Sequence, residues 1–327
     1  MTERIGIEQF DGIYAGHAQD IAGGTGCTVV LCPEGGVAGV DVRGGSPGTR
    51  DTDALNPVNN RKVVHGILLS GGSSFGLDAA GGVMAYLEER GIGRDVGVGC
   101  VPNVCGAILF DLKCGDPKAR PDKEMGYTAC KNAFSEPFRS GNVGAGTGAV
   151  IGKVLGHEYA MKGGAGSAAF MVGDLMVGAV TAVNCVGDVF DSKEGRIIAG
   201  VLAKDKKSLS STEEIMLANY KSQKDIFSEN TVIGCVVTNA ALTKPQAAKL
   251  ASIGQNGIAR AIRPAHSVFD GDTIFTLSTG QVDANLDTIG ILAVRAVEAA
   301  IIDAVVSSDS LHGYISYKDF SKLQNNI

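Results

Sequence analysis

Glycine constrains this chain more than any other residue. It fills 46 of 327 positions, about twice ordinary usage, while proline is held to 9 and the glycines follow no three-residue period. A collagen-like rod and a low-complexity coil are both excluded. Glycine inside apolar runs serves tight turns and close backbone approach. With no tryptophan and 6% aromatic residues, the core must be built from small and branched aliphatic side chains. Layers packed through such side chains come close together.

The rest of the composition is that of an ordinary globular protein, with 44% hydrophobic and 20% charged residues. At roughly 150 residues per domain the length suggests two domains, but large mixed α/β folds reach this size around one core. A net charge of -6 and a pI near 5.4 disfavour nucleic acid and anionic membrane as partners, since both need a cationic surface. No run of 18 apolar residues suggests a membrane-spanning helix. The opening MTERIGIEQF lacks a basic-then-apolar leader and the eight cysteines are scattered, so the expected compartment is the cytoplasm and the thiols are expected to be reduced. Cys27 with Cys32 and Cys100 with Cys105 share a C-x4-C spacing, which places the two thiols on opposite faces of a strand and misses the zinc patterns. Neither metal nor cofactor is expected.

Residues 27–42 (CTVVLCPEGGVAGVDV) read as two short strands around a Pro/Gly turn, a hairpin. A polar glycine loop, Arg43 to Asp53, follows, then a strand at Val63 to Leu69, a glycine/serine turn at Ser70 to Gly76, and a helix over Leu77 to Glu89. A second glycine-rich stretch spans Gly141 to Gly156, with apolar runs after it at Ala168 to Val172 and Met176 to Asn184. A helix is expected to open near Asp191 and turn Ile197, Ile198, Val201 and Leu202 inward. Lys204 to Asn230 is crowded with charge and hydroxyls and reads as a solvated linker or flap. At Thr231 the chain changes abruptly into TVIGCVVTNAAL, the mark of a strand buried on both faces. Thr243 and Gln246 have the capping-box spacing and Pro245 fits a first helical turn, so a helix is expected to start there and end before Pro264. FDGDTIFTLST reads as a hairpin signal and strand, and Asp283 to Val305 as a long helix. Strands are too many for a doubly wound parallel sheet, so helices outside layered sheets are the expected architecture.

Several segments could carry chemistry. Gly144, Gly146 and Ala149 satisfy a relaxed dinucleotide pattern, but polar sequence precedes them where a buried strand is needed. Lys153 is an amine in an uncharged glycine-rich segment: either desolvated and suited to base or positioning work, or snorkelling to the surface. The serine-elbow pattern at Gly72 to Gly76 allows a triad of Ser74 with a later Asp and His266 or His312, against a plain strand-to-helix turn. Asp270 and Asp272 flank Gly271 and would share one face of an extended segment as paired carboxylates; the rival reading is a hairpin turn. Asn184 is an amide in an apolar run, either aimed at an oxyanion or satisfied in the core. The five histidines show no metal-protease spacing.

Taken together, DVRGGSPGTRDTD (Asp41 to Asp53), LLSGGSSFGLDAAGG (Leu68 to Gly82), GNVGAGTGAVIGK (Gly141 to Lys153), AVNCVGDV (Ala182 to Val189), ENTVIGCVVTNAALTKPQ (Glu229 to Gln246) and ARAIRPAHSVFDGDTIFTLSTG (Ala259 to Gly280) resemble the L-aminopeptidase/D-esterase family. That family also includes β-peptidyl aminopeptidases and nylon-oligomer hydrolases, and the likeness runs from about residue 10 to 305. The resemblance implies a four-layer αββα sandwich similar to N-terminal-nucleophile hydrolases, and a precursor that cuts itself into residues 1–230 and 231–327. It also implies an enzyme acting on small peptides or amides, commonly a homotetramer of processed protomers.

Carried over position by position, the family's site places the cut between Asn230 and Thr231, the nucleophile at Thr231, the oxyanion donor at Asn184 and the orienting pair at Asp270 and Asp272. Lys153 matches the lysine of the nylon-oligomer branch, which the Asn-Thr junction and Asp-Gly-Asp also resemble. Phe110 stands where several members have a tyrosine, and with Ser73 and Ser74 it is expected to line the substrate pocket. Two rivals stand beside this reading. One is an acyl transferase similar to ornithine acetyltransferase, which typically has Thr-Met-Leu where this chain has Thr231, Val232 and Ile233. The other is a binding protein that kept the fold without the chemistry.

Overall fold

The structure is a computed structural model that describes residues 2–221 and 230–325. Its main elements in chain order are β1 (Glu3–Ile5), β2 (Tyr14–Asp20), β3 (Thr25–Val42), β4 (Val64–Ser70), α1 (Ala79–Glu88), β5 (Val104–Ile108), α2 (Lys123–Ser135), β6 (Gly164–Val172), β7 (Leu175–Asn184), α3 (Thr212–Ala218), β8 (Thr231–Ala240), α4 (Lys244–Ala261), β9 (Thr273–Val282), α5 (Leu286–Ser307) and α6 (Tyr317–Asn325). Shorter strands are named by their residues.

The strands run in the order β1-β6-β7-β8-β9-β3-β4-β5, with β2 also paired to β3. β3 belongs to two sheets: Thr25 to Leu31 pairs with β2, and Val37 to Val42 pairs with β9. The expected hairpin over 27–42 is therefore a single bent strand. Its register against β4 slips between Leu31 and Gly36, and Gly35 takes a φ of +81°. The Pro/Gly signal thus marks a bulge that bends the strand into the second sheet without reversing it. The hairpin in this region is β2 with β3.

Burial follows the layers. Ile67 and Leu69 of β4 meet Ile233, Cys235 and Val237 of β8 in a core between the two sheets. Val232, Val236 and Ala240, on the other face of β8, pack against α4 and α5. Val29 and Leu31 of β3, with Leu68 of β4, face α1 and α2. Three cores separate four layers, helix on sheet on sheet on helix. All ten residues of β8 are buried, which is why its sequence is almost continuously apolar.

The capping box of α4 forms as expected: Thr243 Oγ1 accepts from Gln246 N, and Thr243 N donates to Gln246 Oε1 at 2.8 Å. Such a cap is worth about 1 kcal/mol. The helix expected near Asp191 is absent. Strands Asp188–Asp191 and Arg196–Ala199 stand there instead, because Asp191 Oδ1 accepts from Lys193 N at 2.8 Å and folds the segment into a tight turn. The stretch Lys204 to Asn230, read as a linker or flap, contains α3, and Thr212 at its start is clasped by buried Asp188, whose Oδ2 accepts Thr212 N and Oδ1 accepts Thr212 Oγ1. Residues 222–229 of that stretch lie outside the described residues. All eight cysteines are free thiols and seven of them are buried. No helix among the described residues is long and apolar enough to cross a membrane.

Candidate active site

Three neighbouring strands end together. β8 and β9 run parallel, so their first residues lie side by side: Ile233 is opposite Thr273, and just outside the ladder Asn230 bridges Asp270. β7 runs antiparallel to β8, which sets its last residue, Asn184, opposite Thr231. Parallel neighbours need a long crossover, here through α4. Strand direction thus gathers Asn184, Thr231, Asp270 and Asp272 from distant parts of the chain.

Thr231 is 5% exposed, and its hydroxyl makes a short hydrogen bond to the carbonyl of Asn230. Gly271 N donates to that same Asn230 carbonyl at 3.0 Å and lies 3.2 Å from Thr231 Oγ1. A Cβ on Gly271 would sit 2.8 Å from Thr231 Oγ1 and 3.0 Å from the carbonyl oxygen of Ser46. Only glycine brings its N–H this close.

The two carboxylates are held differently. Asp272 accepts three N–H donors: Val232 N on Oδ1 at 2.8 Å, and both His266 N at 3.1 Å and His266 Nδ1 at 2.8 Å on Oδ2. Asp270 accepts Ser267 N on Oδ2 at 2.7 Å, while its buried Oδ1 has no partner among the described residues. Burial, reinforced by the charge of Asp272, raises the Asp270 pKa above the usual carboxylate range; the Ser267 N–H and the charge of Lys153 oppose that shift only in part. The Asp-Gly-Asp segment forms no hairpin here, since β9 pairs with β8 and β3 and the turn reading has no partner strand.

Lys153 is buried, which removes the surface-snorkel reading, and its Nζ donates to the Asn184 carbonyl at 2.9 Å. The Asn184 side chain accepts from Val150 N and donates to the Phe110 carbonyl, each at 2.9 Å. Phe110 therefore touches the centre through its backbone. Ser73 joins the same chain of contacts, its N–H donating to Leu109 O at 3.0 Å. Ser74 is exposed on a 3-10 turn, Ser73–Asp78. The two histidines offered as its partners are engaged elsewhere, His266 with Asp272 and His312 with Ile21 O at 2.8 Å. Ser74→Ala should therefore keep a kcat near that of the wild type; a fall of about 10⁴-fold, the loss of a nucleophile, would restore the triad.

The dinucleotide-like stretch is interior. Gly146, Ala149 and Gly163 turn their carbonyls onto the fully buried Lys162 ammonium at 2.9, 2.8 and 3.1 Å. A phosphate cradle needs converging N–H groups, and this loop presents oxygens to a cation. Burial draws the Lys162 pKa down to about 8.

His266 was legible in the sequence only as a triad partner, and Gly271 only as a spacer between carboxylates. The signal for both was local: His266-Ser267 lies two residues before the Asp-Gly-Asp segment, in a stretch with no apolar periodicity to make it a strand or helix. Among the described residues no cluster of His, Cys, Asp or Glu is built to hold a metal ion.

The profile of peptidase family S58 matches residues 7–318. An uncharacterized aminopeptidase of Mycobacterium leprae is 38% identical over 343 aligned positions, covering 95% of this chain and 92% of that protein. A 6-aminohexanoate-oligomer endohydrolase of Kocuria sp. is 30% identical, covering 92% of this chain and 83% of its own length. Among solved structures, the L-aminopeptidase D-Ala-esterase/amidase of Ochrobactrum anthropi, a variant of the N-terminal-nucleophile hydrolase fold, superposes with a TM-score of 0.73 at 19% identity over 98% of this chain and 92% of that one.

Proposed function

The chain belongs to peptidase family S58 and is a hydrolase of peptide or amide bonds; on that premise we propose that it cuts its own backbone between Asn230 and Thr231 and then works through an acyl-Thr231 intermediate. The observation that carries the proposal is the Asn230 carbonyl, which accepts from the Thr231 hydroxyl and from Gly271 N at 3.0 Å. A hydroxyl beside the carbonyl it would attack supplies proximity, and an N–H already on the oxygen supplies a donor for the negative charge that develops there.

In the cutting step the Thr231 oxygen bonds to the Asn230 carbonyl carbon, the Asn230–Thr231 C–N bond breaks, and the hydroxyl proton passes to the departing nitrogen. Water then hydrolyses the resulting ester, leaving an Asn230 carboxylate and a free Thr231 amine. That amine, with an unperturbed pKa of about 7.7 to 8.0, becomes the base for its own hydroxyl. In the hydrolytic cycle the Thr231 oxygen takes the acyl group of a small peptide or amide, the amine of the substrate leaves with the proton, and water releases the acid.

The surrounding residues support distinct parts of this cycle. Asp272 steadies Val232, the residue after the nucleophile. Asp270, with a buried oxygen that has no partner among the described residues, is placed to receive the new ammonium. Lys153 holds the Asn184 backbone carbonyl on the strand beside Thr231; the Asn184 amide needs to give up or share its bond to Phe110 to serve an oxyanion. The family membership favours hydrolysis over the acyl-transfer alternative. Intact mass measurement is the direct test: purified protein should contain two polypeptides of 230 and 97 residues, the second beginning at Thr231. A single polypeptide of full length in a hydrolytically active sample would refute the proposal.

A further inference from the structure

His266 has a feature that hydrolase chemistry at Thr231 does not by itself require. Its backbone is left-handed, with φ +57°, a conformation uncommon outside glycine that His, Asn and Asp adopt more readily than other side-chain-bearing residues. The consequence is local and specific. Consecutive N–H groups at His266 and Ser267 point to different carboxylates, His266 N to Asp272 Oδ2 at 3.1 Å and Ser267 N to Asp270 Oδ2 at 2.7 Å. Successive N–H groups around a left-handed residue form an anion-binding concavity, and here it receives both aspartates at once.

The imidazole adds a third contact, Nδ1 to Asp272 Oδ2 at 2.8 Å. A carboxylate oxygen only accepts, so the proton of that bond belongs to Nδ1. The ring is 17% exposed, and its Nε2 is buried without a partner among the described residues. With Oδ2 pinned by two donors from one residue, the Asp272 carboxylate cannot rotate, and its other oxygen is held on Val232 N at 2.8 Å. The result is a continuous relay from the imidazole through Asp272 to the residue bonded to the nucleophile.

We propose that His266 is a positioning residue of the Thr231 centre, acting through the Nδ1–H bond that fixes Asp272 and, through Asp272, the backbone that carries the nucleophilic hydroxyl. This rests on the reading of Thr231 as the self-cleaving nucleophile. It assigns His266 no contact with substrate and no proton transfer; its contribution is orientation, and displacing a reacting group by about 1 Å costs about a hundredfold.

Two substitutions separate the hydrogen bond from the backbone. His266→Asn puts an amide N–H where Nδ1 stands and tolerates the left-handed backbone; His266→Gly tolerates that backbone and has no donor. Cutting at Asn230–Thr231 is followed by mass, and kcat and KM are measured on the cut protein with a small amide. The expected result is that His266→Gly slows both cutting and kcat by roughly tenfold to a hundredfold with KM nearly unchanged, and that His266→Asn restores both to within about threefold. Should thermal melting show that His266→Gly does not fold, His266→Gln takes its place with the same expectation, since its longer side chain carries the donor past Asp272. Wild-type rates in the variant without the donor overturn the inference, as does a His266→Asn protein as slow as the donorless one. A wild-type chain that stays whole overturns the reading of Thr231 and this inference with it, whereas a cut wild type beside indifferent His266 variants overturns this inference alone.

Discussion

Thr231→Ala should remain a single polypeptide of 327 residues and lose hydrolysis by about 10⁴-fold or more, because one hydroxyl serves both reactions. The stability cost should be small. Gly271 N keeps its bond to the Asn230 carbonyl in the variant, so the loss is the hydroxyl's hydrogen bond and the buried γ-methyl, about 1 kcal/mol each. Thr231→Ser retains the reacting oxygen and should still cut. Gel electrophoresis and intact mass read the outcome, and a Thr231→Ala protein recovered as two pieces would remove the foundation of the proposed mechanism.

The second large effect separates catalysis from folding. Asp270→Asn should reduce turnover by roughly a hundredfold or more, the scale expected for a buried electrostatic partner of the reacting centre. At the same time it should leave the uncut protein at least as stable at pH 8. The sign follows from linkage. The Asp270 pKa is raised in the fold, so the folded state binds its proton more tightly than the unfolded chain does. Stability from this group therefore falls as pH rises from the ordinary carboxylate range to the raised folded value, and stays lower above it. An amide removes that charge and its repulsion with Asp272. The comparison is made in the uncut Thr231→Ala protein, where no new ammonium faces Asp270: there the melting advantage of adding Asp270→Asn should be largest at pH 8 and vanish near pH 4, measured by thermal unfolding across that range. A variant that melts much earlier at pH 8, or one that turns over normally, contradicts the assignment.

How far the sequence could be read depended on how local each cause was. The capping box at Thr243 and Gln246, the strand beginning at Thr231 and the long helix ending near Ser307 are written in adjacent residues, so pattern alone placed them. The Pro/Gly signal in 27–42 was misread because a turn and a bulge use the same residues, and only the partner strands decide whether the chain reverses or bends. The helix expected near Asp191 failed for a related reason. Ile197 and Ile198 suit a helical stripe, but the Asp191 turn sets them on a short strand paired to Asp188–Asp191.

The site divides in the same way. Asn184, Asp270 and Asp272 stand out as an amide in an apolar run and paired carboxylates, each with a structural reading beside the chemical one, whereas Thr231 is singled out as a candidate nucleophile only by the resemblance to the family. Their relation was not identifiable from spacing. Serine-elbow spacing equally offered Ser74, and glycine spacing offered a nucleotide loop. Each alternative was disfavoured by contacts that spacing does not show: His266 bound to Asp272, and Lys162 filling the glycine loop with a cation.

By itself, the amino-acid order determined that this chain would build close-packed layers from small side chains, where its principal strands and helices begin, and which residue types could do chemistry. Tertiary structure alone decided that β8 runs parallel to β9 and antiparallel to β7, and that His266 turns left-handed beneath the two aspartates. The physical reason is the range of the forces involved. Caps, turns and apolar periodicity act over a few residues and leave a local trace, whereas strand direction and a buried hydrogen-bond relay are chosen by the free energy of the whole core.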